Sequence, residues 1–487
     1  MSPQRSISPQ RSVNPQLSIS PLQQAAATWP DAHALITPEY TLSFEVTARQ
    51  VREVAQQLKS QDITRLGVIG PNSVEQIILY WACAEAGALF CPLSWRFPES
   101  QLEGLIRRFA LDALHAPALE SLCPALPRIH LEDTTSGMAA STEAPPVAAT
   151  LDLSQPVNLV LSSGSTGEPK AAVHALANHI ASAEGARGLI PLSPGDRWLL
   201  SLPLFHIGGI AILNRCALAG AAVVLPQQQA STIQLSVAQA MSALSPTHVS
   251  LVAAQLTALL EDSPDSLKSV KALLLGGGAI GGALLSRLEA LGLCAFTSYG
   301  MTEMSSQITT GPANSQGASG TLLPGRELRI HQGEIQVRGE TLFLGYLEDN
   351  GLRLPLTDEG WFATRDCGHL DEAGRLFVSG RLDNMFICGG ENLHPEEIEA
   401  ALCQHPQVLE AIVYPKADNT FGLLPHALLR CRNAMPTQAE LDDFLASRIA
   451  RFKRPRSYQA WPEMATSGLK TNRKSVVAAV LCANEPQ

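Results

Sequence analysis

Residues 162–170 read Ser-Ser-Gly-Ser-Thr-Gly-Glu-Pro-Lys, a run of small and hydroxylated residues beside an apolar segment. The apolar residues 157–161 predict a buried strand and residues 171–188 predict a helix, so the run is predicted to be a strand-to-helix loop. Backbone N–H groups, hydroxyls and a lysine in such a loop can bind phosphate. The P-loop spacing G-x-x-x-x-G-K-[ST] is absent, and a Ser/Gly linker is the alternative interpretation. The candidate phosphate ligands are Ser162, Ser163, Gly164, Ser165, Thr166, Gly167 and Lys170.

The chain around this loop alternates between predicted strands and helices. Residues 66–69 and 88–93 predict two strands. Between them, Ser73 with Gln76 forms a capping box that starts a helix, and Gly87 ends it. Such a βαβ unit implies a parallel sheet, and further strands alternate with helical patterns downstream. The sequence therefore predicts an α/β fold.

The first residues repeat a hexad, Ser-Pro-Gln-Arg-Ser-Ile, with a proline in every unit. Proline fixes φ and lacks a backbone donor, so residues 1–24 are predicted to be a disordered tail, with order beginning near Trp29. We expect residues 25–382 to form a large N-terminal domain. Residues 383–487 are predicted to form a small α+β domain.

Composition and charge argue against several classes of partner. A net charge of −10 and a pI near 5.7 leave no basic footprint for nucleic acid. The longest apolar stretch, residues 199–213, is shorter than the roughly 20 residues that a membrane span requires. The ten cysteines are scattered without a C-x-x-C pair, which favours free thiols in a reducing cytoplasm. The sequence is compatible with a homo-oligomer.

Gly276, Gly277 and Gly278 follow a predicted strand and precede a predicted helix, which fits the Gly-x-Gly-x-x-Gly pattern of a dinucleotide site. The next strand, residues 294–298, does not end in the acidic residue that such a site requires. We therefore interpret the glycines as a turn on which an adenine can lie. Helix–strand packing is the alternative.

Two regions further along combine groups that a nucleotide site can use. Residues 299–303 read Tyr-Gly-Met-Thr-Glu, which offers a ring for stacking, a hydroxyl for phosphate and a carboxylate for Mg²⁺. Asp366 follows an aromatic run, and Arg381 lies two residues before Asp383. An aspartate can accept both ribose hydroxyls, and an arginine can bridge hydroxyl and phosphate.

Five stretches in this order, residues 162–170, 299–303, 366, 380–383 and 389–399, resemble the motifs of the adenylate-forming superfamily of acyl-CoA ligases, luciferases and peptide-synthetase adenylation domains. The resemblance covers residues 29–480. It implies a large N-terminal domain with parallel or mixed sheets and a β-rich subdomain, followed by a small mobile α+β domain. The ligands that it implies are ATP, Mg²⁺, coenzyme A and a small carboxylic acid.

The resemblance also implies roles for the matched residues. The implied phosphate ligands are Ser165, Thr166 and Lys170 for the pyrophosphate and Thr302 for the α-phosphate. Glu303 is the implied Mg²⁺ ligand, with Thr166 as a second candidate. Asp366 and Arg381 would hold the ribose, Tyr299 and Gly277 would contact adenine, and Asp383 matches the hinge of the small domain.

Near the C-terminus, residues 467–473 resemble the family's terminal Gly-Lys-x-x-Arg, except that Leu469 separates glycine from lysine. The three-residue step from Lys470 to Arg473 is kept. Lys470 is therefore assigned as the catalytic lysine that orients the carboxylate and the α-phosphate, and Lys474 is the second candidate.

Within the superfamily, residues 170–174, 202–206 and 361–366 are most similar to ligases that join o-succinylbenzoate to coenzyme A. His206 lies where the family has a catalytic-site residue at the acyl pocket and thiol tunnel, and Gly300 is a further candidate contact with the acid. Arg215 is the candidate partner for a second substrate carboxylate.

A packed core histidine is the alternative for His206, and a salt bridge to a neighbouring element is the alternative for Arg215. Two other functions fit the same motifs. One is a ligase for another aryl or fatty acid, and the other is a stand-alone adenylation enzyme that loads a carrier protein.

Overall fold

The computed structural model describes residues 17–131, 150–162, 169–226, 235–278, 280–388, 391–418, 422–462 and 473–483. The strands in these residues are β1 (Leu17–Ser18), β2 (His33–Ile36), β3 (Thr41–Ser43), β4 (Arg65–Ile69), β5 (Leu89–Leu93), β6 (Ala113–His115), β7 (Leu151–Asp152), β8 (Pro156–Ser162), β9 (Lys170–Ala175), β10 (Arg197–Leu199), β11 (Ala222–Val224), β12 (His248–Leu251), β13 (Ala272–Leu275), β14 (Ala295–Met301), β15 (Ser306–Pro312), β16 (Thr321–Leu322), β17 (Arg326–His331), β18 (Glu334–Gly339), β19 (Gly345–Glu348), β20 (Gly351–Arg353), β21 (Phe362–Leu370), β22 (Leu376–Arg381), β23 (Phe386–Cys388), β24 (Glu391–Leu393), β25 (Val408–Asp418), β26 (Gly422–Cys431) and β27 (Tyr458–Ala460). The helices are α1 (Pro21–Thr28), α2 (Phe44–Ser60), α3 (Val74–Ala86), α4 (Glu99–Arg108), α5 (Leu176–Ala186), α6 (Ile207–Ala219), α7 (Val237–Leu244), α8 (Ala253–Asp262), α9 (Gly282–Ala290), α10 (Pro395–Leu402), α11 (Gln438–Ala446) and α12 (Arg473–Ala483).

Two large sheets dominate the N-terminal part of the chain. The nine-stranded sheet has the order β16-β15-β14-β13-β12-β10-β11-β2-β3, in which the strands from β14 to β2 run parallel. The seven-stranded sheet has the order β20-β19-β9-β8-β5-β4-β6 and is mixed. Helices cover these sheets, and the central strand residues are almost completely buried, as expected for α/β layers.

The predicted βαβ unit is confirmed. The Ser73 side chain caps α3 by accepting a hydrogen bond from the Gln76 backbone N–H. Gly87 ends the helix in the left-handed conformation, with φ +76°. Strands β4 and β5 then pair in parallel. The local capping and turn signals were sufficient here because they agree with the tertiary packing.

The predicted helix from residue 171 is wrong in its first part. Strand β9 pairs antiparallel with β8, and Ser162 lies opposite Lys170, so the loop connects two strands of a hairpin. Helix α5 begins only at Leu176. The alanines of this segment favour helix by propensity, but β9 lies between β8 and β19 and gains hydrogen bonds on both edges.

Order also begins earlier than Trp29, which corrects the predicted tail for residues 17–24. Helix α1 is capped by Ser20, and Ser20 also donates to the Glu85 carboxylate at 2.8 Å. Gln23 donates to both oxygens of the same carboxylate, at 3.0 and 3.1 Å. Burial raises the pKa of Glu85, and these donors oppose that rise. Residues 1–16 of the repeat lie outside the described residues.

A four-stranded sheet, β17-β18-β21-β22, follows the two large sheets and matches the predicted β-rich subdomain. The C-terminal residues then form their own sheet, in which β24-β23-β26-β25 are joined by β27, with α10, α11 and α12. A capping box of Thr437 with Glu440 starts α11. In the described part of the chain, no helix has both the length and the hydropathy to cross a bilayer.

Candidate active site

Three residues singled out from the sequence meet where β14, β21 and β22 come together. The Tyr299 hydroxyl donates to Asp366 Oδ2 at 2.7 Å, and Arg381 Nη1 donates to Asp366 Oδ1 at 3.0 Å. Asp366 and Arg381 are cross-strand partners, which explains their pairing although fifteen residues separate them. Tyr299 lies within β14 rather than after it, because the strand extends to Met301.

Burial determines the electrostatics of this trio. It raises the pKa of the Asp366 carboxyl, while the Tyr299 hydrogen bond and the Arg381 charge act in the opposite direction. It also raises the pKa of Tyr299 well above its ordinary value, with the Asp366 charge adding to the rise. Tyr299 therefore keeps its proton and acts as a donor to the carboxylate.

Glu303 follows β14 in a short 3₁₀ turn and is buried, with 6% of its surface exposed. Its Oε1 atom accepts hydrogen bonds from Ser162 Oγ at 3.2 Å and from the Tyr346 hydroxyl at 2.7 Å. The Lys170 ammonium lies 5.1 Å from the centroid of the Tyr346 ring. The end of the β8–β9 hairpin and the residue 299–303 segment therefore meet, as the predicted nucleotide site requires.

Sequence reasoning missed Tyr346. It lies on β19, 43 residues after Glu303. The only local signal is an aromatic residue after a glycine, which is common in strands and carries no chemistry by itself. Only the pairing of β19 with β9 brings it to the site.

A buried chain of hydrogen-bonded polar side chains ends at the backbone carbonyl of Thr302. His174 Nε2 lies 2.7 Å from the Thr302 carbonyl oxygen, which can only accept, so this nitrogen donates. Asn158 Nδ2 approaches His174 Nδ1 at 3.4 Å, and its Oδ1 accepts from His179 Nε2 at 2.6 Å. Burial lowers the pKa of His174 to about 4 and lowers that of His179 as well. Both rings are therefore neutral at physiological pH.

The residues present fit a magnesium ion held together with a nucleotide. Within the described residues, no three His, Cys, Asp or Glu side chains converge as a protein-only metal site. A single carboxylate such as Glu303, combined with phosphate oxygens and water, is how proteins usually bind Mg²⁺ at ATP sites. Glu303 offers such an oxygen beside Ser162, and the Tyr346 ring that donates to Glu303 also contacts Lys170.

The three glycines, residues 276–278, follow the carboxyl end of β13, and Tyr299 lies near the carboxyl end of the neighbouring β14. Strand β13 ends at Leu275 and pairs in parallel with β14. A Cβ at Gly276 would lie 3.8 Å from the Ser298 carbonyl oxygen, and a Cβ at Gly278 would meet no other atom within 4 Å. Gly277 has φ +84°, which favours glycine. The turn is therefore open on the side where Gly278 lies.

Arg215 lies on α6 and is buried, with 6% of its surface exposed. Its Nη2 donates to the side-chain oxygen of Gln307, and its guanidinium lies 5.3 Å from the centroid of a Trp198 ring. Gln307 is paired with Gly300 across the β14–β15 ladder. Arg215 therefore reaches the strand beside the residue 299–303 segment.

The charge of Arg215 has no counterion in the part of the chain that the structure describes. None of the ion pairs found there includes it, and its buried Nε atom has no hydrogen-bond partner. Burial lowers its pKa to about 10, and its charge in turn lowers the pKa of the buried Arg326. The predicted alternative, a salt bridge to a neighbouring element, is not found among the described residues.

Two other predicted contacts with the acid lie nearby. His206 is exposed at the residue that precedes α6, so the predicted alternative of a packed core histidine is wrong. Its ring lies 4.5 Å from that of Phe205. A Cβ at Gly300 would collide with the backbone oxygen of Ser306, so no side chain fits there.

Asp383, the predicted hinge residue, is linked to the nucleotide side. Its Oδ1 accepts from Arg365 Nε at 2.9 Å, and its Oδ2 accepts from Arg381 Nη2 at 3.4 Å. The hydrogen bond from Arg365 is the largest of the effects that lower the pKa of Asp383. Arg381 thus bonds both to Asp366 and to Asp383.

Seven predicted site residues or their side chains lie outside the described part of the chain. Those outside the described residues are Ser163, Gly164, Ser165, Thr166, Gly167 and Lys470. Lys474 lies in α12, but its side chain is outside the described part. Their assigned roles stay predictions.

Comparison with known families gives two matches along the chain. A model described as AMP-binding enzyme matches residues 22–347, and one described as AMP-binding enzyme C-terminal domain matches residues 397–468. The chain is 36% identical over 406 residues to the 2-succinylbenzoate–CoA ligase of Escherichia coli strain K12, covering 83% of this chain and 85% of the relative. It is 30% identical over 463 residues to the Bacillus subtilis strain 168 ligase of the same name, covering 90% and 93%.

Solved structures give the same picture. The Bacillus subtilis o-succinylbenzoate CoA synthetase in complex with the acyl-adenylate intermediate OSB-AMP has a TM-score of 0.82 and 28% identity, covering 92% of this chain and 96% of that chain. The same synthetase in complex with ATP and a magnesium ion has a TM-score of 0.80 and 28% identity, covering 91% and 96%.

Proposed function

Because the chain belongs to the family of AMP-binding enzymes, we propose that it is an ATP-dependent ligase that joins o-succinylbenzoate to coenzyme A in menaquinone or phylloquinone synthesis. The observation that supports the ligase chemistry is the bonded trio of Tyr299, Asp366 and Arg381, with the Glu303 charge close enough to act on Asp366. Tyr346 links Glu303 to Lys170. The Escherichia coli and Bacillus subtilis relatives are named as ligases of 2-succinylbenzoate and CoA.

The first half-reaction forms an acyl-adenylate. A carboxylate oxygen of the acid attacks the α-phosphorus of ATP in line, and the bond to pyrophosphate breaks. The protein contributes position and charge rather than a covalent bond. Lys170 would meet the departing pyrophosphate. Thr302, whose carbonyl oxygen accepts a hydrogen bond from His174, would contact the α-phosphate. Mg²⁺ at Glu303 would neutralise the phosphate charges.

The remaining contacts with the nucleotide follow from the same residues. Asp366 and Arg381 hold the ribose hydroxyls, and Tyr299 with Gly277 contacts the adenine. Lys470, supplied by the C-terminal domain, orients the acid and the α-phosphate in this step. Ser165 and Thr166 complete the contacts with pyrophosphate.

The second half-reaction transfers the acyl group to coenzyme A. The thiol sulfur attacks the acyl carbonyl carbon, the bond to AMP breaks, and the thiol proton is lost. For this step the C-terminal domain would turn about Asp383, and His206 would line the path of the thiol to the acyl group. The hinge proposal is supported by the pairing of Asp383 with Arg365 and Arg381, each of which lies on the N-terminal side of it.

The identity of the acid substrate is proposed from the buried guanidinium of Arg215. Activation consumes one carboxylate of o-succinylbenzoate, and the other remains charged. A buried carboxylate without a partner is costly, and so is a buried guanidinium without a counterion. Arg215 would pair with the second carboxylate, and its planar fork suits that group.

The decisive experiment supplies ATP with a panel of acids and measures pyrophosphate release, followed by addition of coenzyme A and mass analysis. We expect release with o-succinylbenzoate and a product whose mass is that of its CoA thioester. Preference for another aryl or fatty acid would replace the acid while keeping the ligase. Release without any CoA product, combined with loading of an added carrier protein, would favour a stand-alone adenylation enzyme.

The hinge is tested separately with Asp383→Pro. Proline fixes φ, so rotation at this residue should be blocked. We expect adenylation to be spared and thioester formation to be suppressed, measured as pyrophosphate release and CoA thioester yield. Normal CoA turnover would show that Asp383 is not the pivot.

We also infer a cytoplasmic location. None of the nine cysteines whose side chains the structure describes forms a disulfide. Free thiols persist in a reducing compartment.

A further inference from the structure

Tyr346 is the side chain that joins two predicted site residues which do not otherwise touch. Its hydroxyl donates to Glu303 Oε1 at 2.7 Å, and the Lys170 ammonium lies 5.1 Å from its ring centroid. The residue is 7% exposed. Tyr346 therefore contacts Glu303, the proposed Mg²⁺ ligand, through its hydroxyl. It contacts Lys170, the proposed pyrophosphate ligand, through its ring.

The backbone around Tyr346 fixes where this ring lies. Strand β19 pairs with β9, which places Tyr346 opposite Ala172. Gly345, directly before it, has φ +142°, and a Cβ there would lie 2.8 Å from backbone atoms of Arg353. The Phe343 ring packs edge-on against Tyr346 with centroids 4.8 Å apart. The ring is thus held by packing that does not depend on its hydroxyl.

The hydrogen bonds of Glu303 are uneven between its two oxygens. Ser162 and Tyr346 both donate to Oε1. In the described part of the chain, Oε2 has no hydrogen-bond donor. Two donors on one oxygen fix the plane of the carboxylate and leave the other oxygen available to a cation.

We propose that Tyr346 is a positioning residue that orients Glu303 for the divalent cation of the nucleotide and steadies Lys170 through a cation–π contact. This inference rests on the proposed function for the presence of a nucleotide and its cation. The two parts of the side chain have separate tasks, since the hydroxyl acts on Glu303 and the ring acts on Lys170.

Variants can separate these tasks. Tyr346→Phe removes the hydroxyl and keeps the ring, whereas Tyr346→Leu removes both. We would measure Mn²⁺ binding by electron paramagnetic resonance in the presence of a non-hydrolysable ATP analogue, and binding of the same analogue in EDTA by calorimetry. Neither measurement needs the acid, coenzyme A or turnover.

For Tyr346→Phe we expect Mn²⁺ affinity to fall about tenfold, because a hydrogen bond to a charged acceptor is lost, while analogue binding in EDTA is unchanged. For Tyr346→Leu we expect a similar loss for Mn²⁺ and a further loss of about threefold in EDTA, from the missing cation–π contact. Ser162→Ala removes the longer hydrogen bond to the same oxygen and should weaken Mn²⁺ binding less than Tyr346→Phe.

Tyr458→Phe is the matched control. Its hydroxyl also donates to a carboxylate, Asp442 Oδ1 at 2.8 Å, but on β27 of the C-terminal domain. This variant should bind Mn²⁺ and the analogue as the parent protein does.

Several results would overturn the inference. They are Mn²⁺ binding by Tyr346→Phe equal to that of the parent protein, equal losses with and without the cation, or the same loss in Tyr458→Phe. Failure of the parent protein itself to bind the analogue with Mn²⁺ would instead overturn the proposed function, and this inference with it.

Discussion

The proposed nucleotide side, around Asp366, and the proposed acid side, around Arg215, differ in how their charges are balanced. On the nucleotide side, the Asp366 carboxylate already accepts hydrogen bonds from Tyr299 and Arg381. On the acid side, the buried guanidinium of Arg215 meets only the neutral amide of Gln307 and an aromatic ring among the described residues. Groups that satisfy one another are positioned before the ligand binds. A buried charge without a counterion is balanced only when a ligand supplies one.

The largest expected effect tests whether the nucleotide side is complete within the N-terminal domain. Lys470→Ala should slow adenylation by about 10²–10³, or roughly 2.7–4 kcal/mol, because a charge-assisted donor to the α-phosphate is lost. Thioester formation from supplied acyl-adenylate should change far less. The two rates are measured as pyrophosphate release and as CoA thioester yield. Comparable losses in both half-reactions would refute the role of this lysine.

The next effect tests the acid side. Arg215→Ala should raise KM for the dicarboxylic acid by about 10–150-fold, because hydrogen bonds to a charged group contribute roughly 1.5–3 kcal/mol. KM for ATP should barely change, since the nucleotide side has its own partners. Steady-state kinetics with each substrate varied in turn checks both values.

An analogue of the acid without the ring carboxylate sharpens this result. It should bind the parent protein poorly and lose little more in Arg215→Ala, because the contact is already absent. Arg187→Ala is the control, since it removes an exposed arginine that pairs with Glu184 on the neighbouring α5. Normal binding of the dicarboxylic acid by Arg215→Ala, or losses that simply add, would make Arg215 structural.

Acid pH should affect the support of the nucleotide side. The pKa of His174 is about 4 in the folded protein and near 6.5 when unfolded, so the unfolded chain takes up a proton first as pH falls. Protonation of His174 in the unfolded chain therefore lowers the free energy of unfolding as pH falls from 6.5 to 4. The decrease is about 2 kcal/mol at pH 5. His174→Gln should lose correspondingly less between pH 7 and 5 in urea titrations. The exposed His331→Gln is the control, and an unchanged pH slope in His174→Gln would contradict the prediction.

The smallest expected effect concerns stability without ligand. Arg215→Met keeps most of the side-chain volume and removes a buried charge that lacks a counterion, so it should stabilise the free protein by about 1 kcal/mol. The melting temperature should rise by about 2 °C, while binding of the acid weakens as in Arg215→Ala. A lower melting temperature of Arg215→Met, with the acid still bound, would contradict the proposal that Arg215 is a buried charge whose counterion is the substrate.

Much of the fold was predictable where local signals agree with the packing. The Ser73 N-cap and the left-handed Gly87 mark helix ends that the structure contains, although the Gln76 side chain bonds to Gly70 rather than closing the predicted capping box. The prediction failed for β9, because its alanines favour helix and nothing local indicates that two neighbouring strands pair with it. It failed again at α1, because the proline-rich repeat before this helix led us to predict disorder through residue 24. The contact that holds the helix comes from Glu85, which is distant in sequence.

The site divides in the same way. Asp366, Arg381 and Glu303 lie in short motifs. Arg381 bonds to Asp366, and Glu303 is near enough for its charge to act on Asp366. Tyr346 and Arg365 were missed, because each acts through a partner that is close in space and distant in sequence. A hydrogen bond between strands leaves no spacing pattern that a single sequence can display.

The anchoring of α1 limits how far the protein can be shortened for crystallisation. Removal of residues 1–24 would delete Ser20 and Gln23, the side chains that donate to the buried Glu85 carboxylate. Arg52, which now donates to Gln23, would lose that partner too. A trimmed version that begins before Leu17 keeps this network and β1, and it removes most of the proline-rich repeat.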